Sequence, residues 1–143
     1  MTRSAYRFLP KVALADVAFA ARGDSPEALF EACAKALTDV MVDRRTVRPR
    51  VRRRVNIRTG DIDGLLYDFL TQVIVMKDVE SLLFRKFEPR ISSDWRSLVC
   101  QMSGEPIDRV RHRLRNDVKA VTMHMFGVEH KGELWKATVV LDI

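Results

Sequence analysis

Apolar and polar positions along the chain change period several times, and each change marks an element. Tyr6 and Phe8 alternate with polar neighbours, as do Val17 and Phe19. A period of two predicts two short strands within residues 3–22, around a bend at Pro10. From Pro26 to about Met41 the period lengthens: Leu29, Phe30, Cys33, Ala34, Leu37, Val40 and Met41 fall three and four apart, which places them on one helical face. Ser25 can accept an orphan backbone N–H at the start of that helix, and Pro26 tolerates the first helical position because its missing donor would go unused there. A second helix follows Thr59-Gly60-Asp61, with Asp61 as its cap and Ile62, Leu65, Leu66, Phe69, Leu70, Val73 and Ile74 on one stripe.

The remaining segments read as strands: residues 50–58, Leu82–Ile91, Trp95–Ser103, Lys119–Glu129 and Leu134–Asp142. His130-Lys131-Gly132-Glu133 joins the last two as a hairpin, and Gly104–Asn116 forms a basic loop. Pro49, unable to donate to a ladder, assigns residues 50–58 to a sheet edge. Two helices and several strands joined by short turns predict an α+β fold with both helices packed on one face of a largely antiparallel sheet. At 143 residues the chain is the length of one domain, spanning 1–143.

Composition narrows the class. Apolar residues make up 47% and charged residues 31%, a balance that excludes a disordered chain. No apolar run approaches the ~18 residues of a membrane span, so a cytoplasmic protein without membrane contact is expected. Cys33 and Cys100 lie in apolar patterns without Cys-x-x-Cys spacing, which favours buried free thiols over a disulfide or a zinc site. The net charge of +6 favours polyanions or acidic protein surfaces as partners. Residues 44–58 alone hold eight arginines. These either bind RNA or phosphate, or are solvated side chains that keep an edge strand from aggregating.

No sequence signature of catalysis is present: no Gly-rich phosphate loop, no GxSxG, no HExxH, and three scattered histidines. His124, among Met123, Met125 and Phe126, reads as a structural histidine in a strand, whereas His112, among arginines, reads as a phosphate contact. Asp16 interrupts the apolar run Val12–Val17, where an ionised carboxylate needs a cation or donors. At the other end, Leu141-Asp142-Ile143 sets a side-chain carboxylate beside the α-carboxylate. Were the first strands to bring Asp16 beside Asp142, the oxygens would suit a hard divalent cation; the alternative is a pair of ordinary strand-end carboxylates.

Three blocks resemble the archease family: Ala15-Asp16-Val17 to Gly23 and the following helix; Gly60-Asp61 through Leu65–Leu70 to Phe84-Arg85-Lys86-Phe87; and Gly104-Glu105-Pro106 onward. Most specific are Asn116-Asp117-Val118-Lys119-Ala120-Val121-Thr122, similar to the family's Glu-Val-Lys-Ala-Ile-Thr run, and the closing Val-Leu-Asp-Ile. The resemblance implies a small, non-enzymatic metal-binding protein. Its partner would be an RtcB-type, GTP-dependent RNA ligase of tRNA splicing and RNA repair, which it activates by promoting guanylylation. It further implies that Asp16, Asp142 and Ile143 bind a divalent metal ion, calcium or manganese, and that Lys119 contacts a nucleotide phosphate or an acidic ligase residue. A monomer is expected, with transient RNA or GTP contact. The likeness breaks before Ala15-Asp16, where the family's Asp-His-Thr or Glu-His-Thr is replaced by Val12-Ala13-Leu14. The loss of an acidic and an imidazole group weakens the expected metal affinity. Two rivals stand beside this reading: an RNA-binding module using Arg44–Arg58 and Arg109–Arg115, and a metal-free, chaperone-like interaction protein.

Overall fold

Local capping explains where both helices begin. Ser25 Oγ accepts the Ala28 N–H at 3.0 Å ahead of α1 (Pro26–Met41), and Asp61 Oδ1 accepts the Gly64 N–H at 2.8 Å ahead of α2 (Ile62–Glu80). Ser81, with φ 55°, ends α2 in the left-handed region and returns its N–H to Met76 O. These elements belong to a computed structural model that describes residues 3–10 and 16–143.

The strands are β1 (Ser4–Phe8), β2 (Asp16–Gly23), β3 (Val51–Arg58), β4 (Leu82–Ile91), β5 (Ser97–Pro106), β6 (Ala120–Val121), β7 (Gly127–Lys131) and β8 (Leu134–Asp142). All their pairings are antiparallel. The α+β class with two helices therefore holds, and the strands divide into two sheets. The larger, five-stranded sheet runs β1-β2-β8-β6, with β7 also paired to β8; the smaller runs β3-β5-β4. The arginine-rich β3 is at a sheet edge, as Pro49 requires.

Two expected strands end differently. The Lys119–Glu129 run is split into β6 and β7 by a turn in which Met125 has φ 54°. Thr122 starts that turn by donating its N–H to Val140 O at 2.9 Å and accepting the His124 N–H on Oγ1. β5 starts at Ser97 instead of Trp95, because Trp95, at φ 61°, is in the turn closed by its N–H to Ser92 O.

Both helices and both sheets contribute to one buried cluster, in which Phe19, Leu37, Phe69, Phe84, Leu98 and Leu141 are enclosed. Phe30 stacks on Phe69 at 6.0 Å between ring centres, tying α1 to α2. Each such side chain contributes roughly 1.5–3 kcal/mol by leaving water. Gly104 is fixed by close approach: a Cβ there would meet Leu83 O at 1.8 Å. Cys33 and Cys100 are buried free thiols as expected, and burial pushes Cys100 up to about 12. Among the described residues no helix is long and apolar enough to cross a membrane.

Candidate functional site

Strand alternation divides the larger sheet into two faces. Phe19, Ala21, Val139 and Leu141 turn toward the helices and join the core. Their neighbours Asp16, Ala18, Val140 and Asp142 point the other way. On that outer face the β2–β8 register sets Asp16 directly opposite Asp142, and β6 sets Ala120 opposite Asp142 on the other side. Directly opposed residues of an antiparallel pair carry their Cβ atoms ~4.5–5.5 Å apart on one face. The two carboxylates expected to meet from distant parts of the chain therefore do so.

The junction is tied down from both sides. Lys119 donates its N–H to Asp142 O at 2.8 Å, while its side chain is exposed. Ile143 packs half-buried against the core. The segment before Lys119 is held by Lys77 of α2, only 8% exposed, whose ammonium donates to Val118 O at 2.7 Å and pairs with Asp117. Lys77 thus positions the approach to β6.

The donor set fits a hard cation. Asp16 and Asp142 are half-buried like charges in direct opposition, an arrangement that destabilises a sheet unless something positive intervenes. The ion pairs among the described residues all lie elsewhere. Every donor here is oxygen, the chemistry of calcium, magnesium or manganese sites. Among the described residues no three His, Cys, Asp or Glu side chains converge on one point; further oxygens would come from water or from the main chain, as at Ile143. Val12–Leu14, where the family's acidic and imidazole groups are replaced, lies outside the described residues.

A second polar cluster escaped the sequence reading. Glu105, 3% exposed, accepts the Arg48 N–H at 2.6 Å, a guanidinium N–H from Arg111 at 2.5 Å, and a contact from His112 Nε2 at 3.0 Å. The Asp108 N–H donates to His112 Nδ1 at 2.9 Å, so the ring proton lies on Nε2, facing Glu105. Burial raises the Glu105 carboxyl, but the His112, Arg111 and Arg48 donors outweigh it and hold it at about 2. His112 is therefore not a free phosphate contact; it is enclosed within this network. His124 is also reassigned: it lies exposed in the turn between β6 and β7, not buried in a strand.

Several arginines of the basic segments have structural duties. Arg44 pairs with Asp39 at 3.2 Å, Arg45 with Asp43 at 2.9 Å and Arg53 with Glu80 at 3.2 Å, while Arg115 donates to Asp39 O at 2.8 Å. Arg52, Arg54 and Arg58 remain exposed on β3. A signal for Lys77 was present, since it continues the apolar stripe of Leu70, Val73 and Ile74, where a lysine requires a buried partner. Glu105 had a weaker one, as a lone acid ahead of an arginine-rich loop.

Comparison with known proteins agrees with this layout. Residues 6–143 match the model of the archease protein family. An archease of Pyrococcus abyssi is 37% identical over 132 residues, covering 90% of this chain and 93% of that protein. An archease of Methanothermobacter thermautotrophicus is 39% identical over 131 residues with the same coverage. Among solved structures, the solution structure of Methanobacterium thermoautotrophicum protein 1598 superposes with a TM-score of 0.83 at 37% identity, covering 96% of this chain and 98% of that one. A crystal structure from Thermotoga maritima, described as an archease and possible chaperone, shares the fold with a TM-score of 0.64 at 16% identity, covering 94% and 96%.

Proposed function

The chain belongs to the archease family, and from that premise we propose that it is a metal-binding accessory protein which activates an RtcB-type, GTP-dependent RNA ligase by promoting guanylylation of that enzyme. Asp16, Asp142 and a main-chain oxygen of Ile143 hold a divalent cation, calcium or manganese. When bound, the cation supplies positive charge for orienting phosphate or carboxylate oxygens. The chain's own residues set the site: β2 and β8 hold Asp16 and Asp142 in register, and Lys77 fixes the approach to β6. Lys119 offers an exposed ammonium beside them, suited to a nucleotide phosphate or an acidic ligase residue. The chemistry of ligation belongs to the partner.

The observation that carries this reading is the direct opposition of two half-buried carboxylates without a basic partner among the described residues. Multiple-turnover ligation by a purified RtcB-type ligase, with and without this protein, tests it. The wild type is expected to raise turnover, and Asp16→Ala and Asp142→Ala to abolish most of that gain. Stimulation unchanged in both variants would defeat the metal-based mechanism.

A second reading, a metal-free chaperone-like interaction protein, draws support from the description of the Thermotoga maritima protein as a possible chaperone and from the replaced family residues at Val12–Leu14. Calorimetric titration with calcium and with manganese separates the two. Heat of binding that disappears in Asp16→Ala favours the first.

A further inference from the structure

About 20 Å along the same outer face from the Asp16–Asp142 pair, at ~3.4 Å per residue, the charge reverses. Arg22 is directly opposite Lys136 across β2 and β8. Ala5 flanks Arg22 on β1, and Glu129 flanks Lys136 on β7. In the next row, Arg7 of β1 is followed by Ala20, Thr138 and Gly127. The small side chains of this second row leave a depression of about 760 Å³, bordered by Arg7, Arg22 and Lys136.

Two like charges facing each other across a strand pair cost stability. All three cations are exposed, and among the described residues none forms an ion pair. Residues 1, 2 and 11–15 contain no Asp or Glu, so they hold no carboxylate that could answer the charge. Glu129 is the one acidic side chain bordering the depression. Three cations against one carboxylate, over a floor of small side chains, make a seat for an anion.

The shape decides which anion. A site for a free nucleotide encloses most of its ligand, whereas this depression is an open floor crossing four strands. An open basic track with aromatic rings at its side suits a single-stranded nucleic acid, with cations following the backbone and rings stacking on bases. Such rings are present at the same end of the sheet, round the free edge of β7 on the opposite face, where His130 is directly opposite the core residue Trp135. His130 of β7 stacks on Trp135 at 3.6 Å and 7°, and Trp95 stands edge-on to His130 at 5.8 Å. Trp95, at φ 61° in its turn, packs edge-on against the buried Trp135 at 4.9 Å and keeps 39% of its surface exposed. β7 pairs only with β8 among the described residues, so a chain crossing its free edge passes from the cations to these rings.

We infer that the larger sheet binds single-stranded nucleic acid, its phosphodiester backbone lying on Arg7, Arg22 and Lys136 of the outer face and a base reaching round the free edge of β7 to stack at Trp95 and His130. The site is separate from the carboxylate pair and does not rest on the ligase reading.

Fluorescence anisotropy with a labelled oligouridylate of ~12 nucleotides, within the range of one binding surface, tests it over a salt series. The Arg22→Ala/Lys136→Ala double variant is expected to bind at least ~10-fold more weakly and to lose about 1.4 units of the log–log salt slope, at ~0.7 per phosphate contact on a single strand. Trp95→Ala should weaken binding ~5-fold or more and leave the slope unchanged, because stacking is not a counterion effect. Arg22→Lys/Lys136→Arg should keep the slope, and Asp16→Ala should keep the affinity. No binding by the wild type, a double variant with wild-type affinity and slope, or displacement by tripolyphosphate as tight as oligouridylate binding would each overturn the inference.

Discussion

At Glu105 burial and hydrogen bonding oppose each other, and the donors win: the carboxyl lies at about 2 against an ordinary 4.5. A carboxyl whose folded value is depressed contributes stability above its unfolded value, and that contribution is lost as pH falls toward the folded one. Glu105 therefore stabilises the fold fully above about pH 5 and progressively less down to pH 2. Glu105→Gln should cost roughly 2–3 kcal/mol at pH 7, since it leaves Arg111 and the Arg48 N–H facing a neutral group. Urea unfolding from pH 7 to pH 2 should show the gap between wild type and variant closing below pH 5; a gap independent of pH would contradict the network. Residues differ in how legible they were. Asp16 stood out as a charge in an apolar run and Asp142 by its place beside Ile143, and family resemblance joined them. Glu105 and Lys77 carried local signals too, but not their roles, because their partners arrive from elsewhere: Lys77 meets Asp117 40 positions away, and Glu105 meets the Arg48 N–H 57 positions away.

Elements were legible wherever the deciding forces are local. Periodicity and caps placed α1 at Pro26–Met41 and the last strand at Leu134–Asp142, as observed. Nothing local told that the strands form two sheets, or that the Lys119–Glu129 run divides, because both depend on which strands pair. β8 takes β6 along one part of its edge and β7 along another, and the turn between them follows from that division. The α2 start offers a test at this scale. Asp61 caps the helix, and Asp63, in its first turn, accepts the Val128 N–H at 2.9 Å, linking α2 to β7. Asp61→Ala should lower stability by about 1 kcal/mol in denaturant unfolding, with little effect on the β2–β8 register that sets the carboxylate pair.

For the whole molecule, the two polar ends of one sheet face carry opposite sign: opposed carboxylates at one end, opposed cations at the other. Each is a local cost that a bound ion of the other sign relieves, so ligands should report on global stability. A cation that binds only the folded state stabilises it by about 2.7 kcal/mol at a hundredfold excess over Kd, raising the melting temperature by roughly 5–10 °C for a domain of this size. Differential scanning fluorimetry with calcium or manganese should show such a rise in the wild type and none in Asp16→Ala. Equal shifts in both would place the ion elsewhere.

The position of β8 bears on how the molecule comes into being. Following all of its partners in sequence, it is inserted between β2 on one side and β6 and β7 on the other. On a ribosome, the earlier strands emerge with their edges open and remain so until residues 134–142 clear the exit tunnel, and such non-local pairings form slowly. The opposed aspartates are then among the later contacts to close, and a nascent or truncated chain lacking that strand would never bring the two carboxylates together.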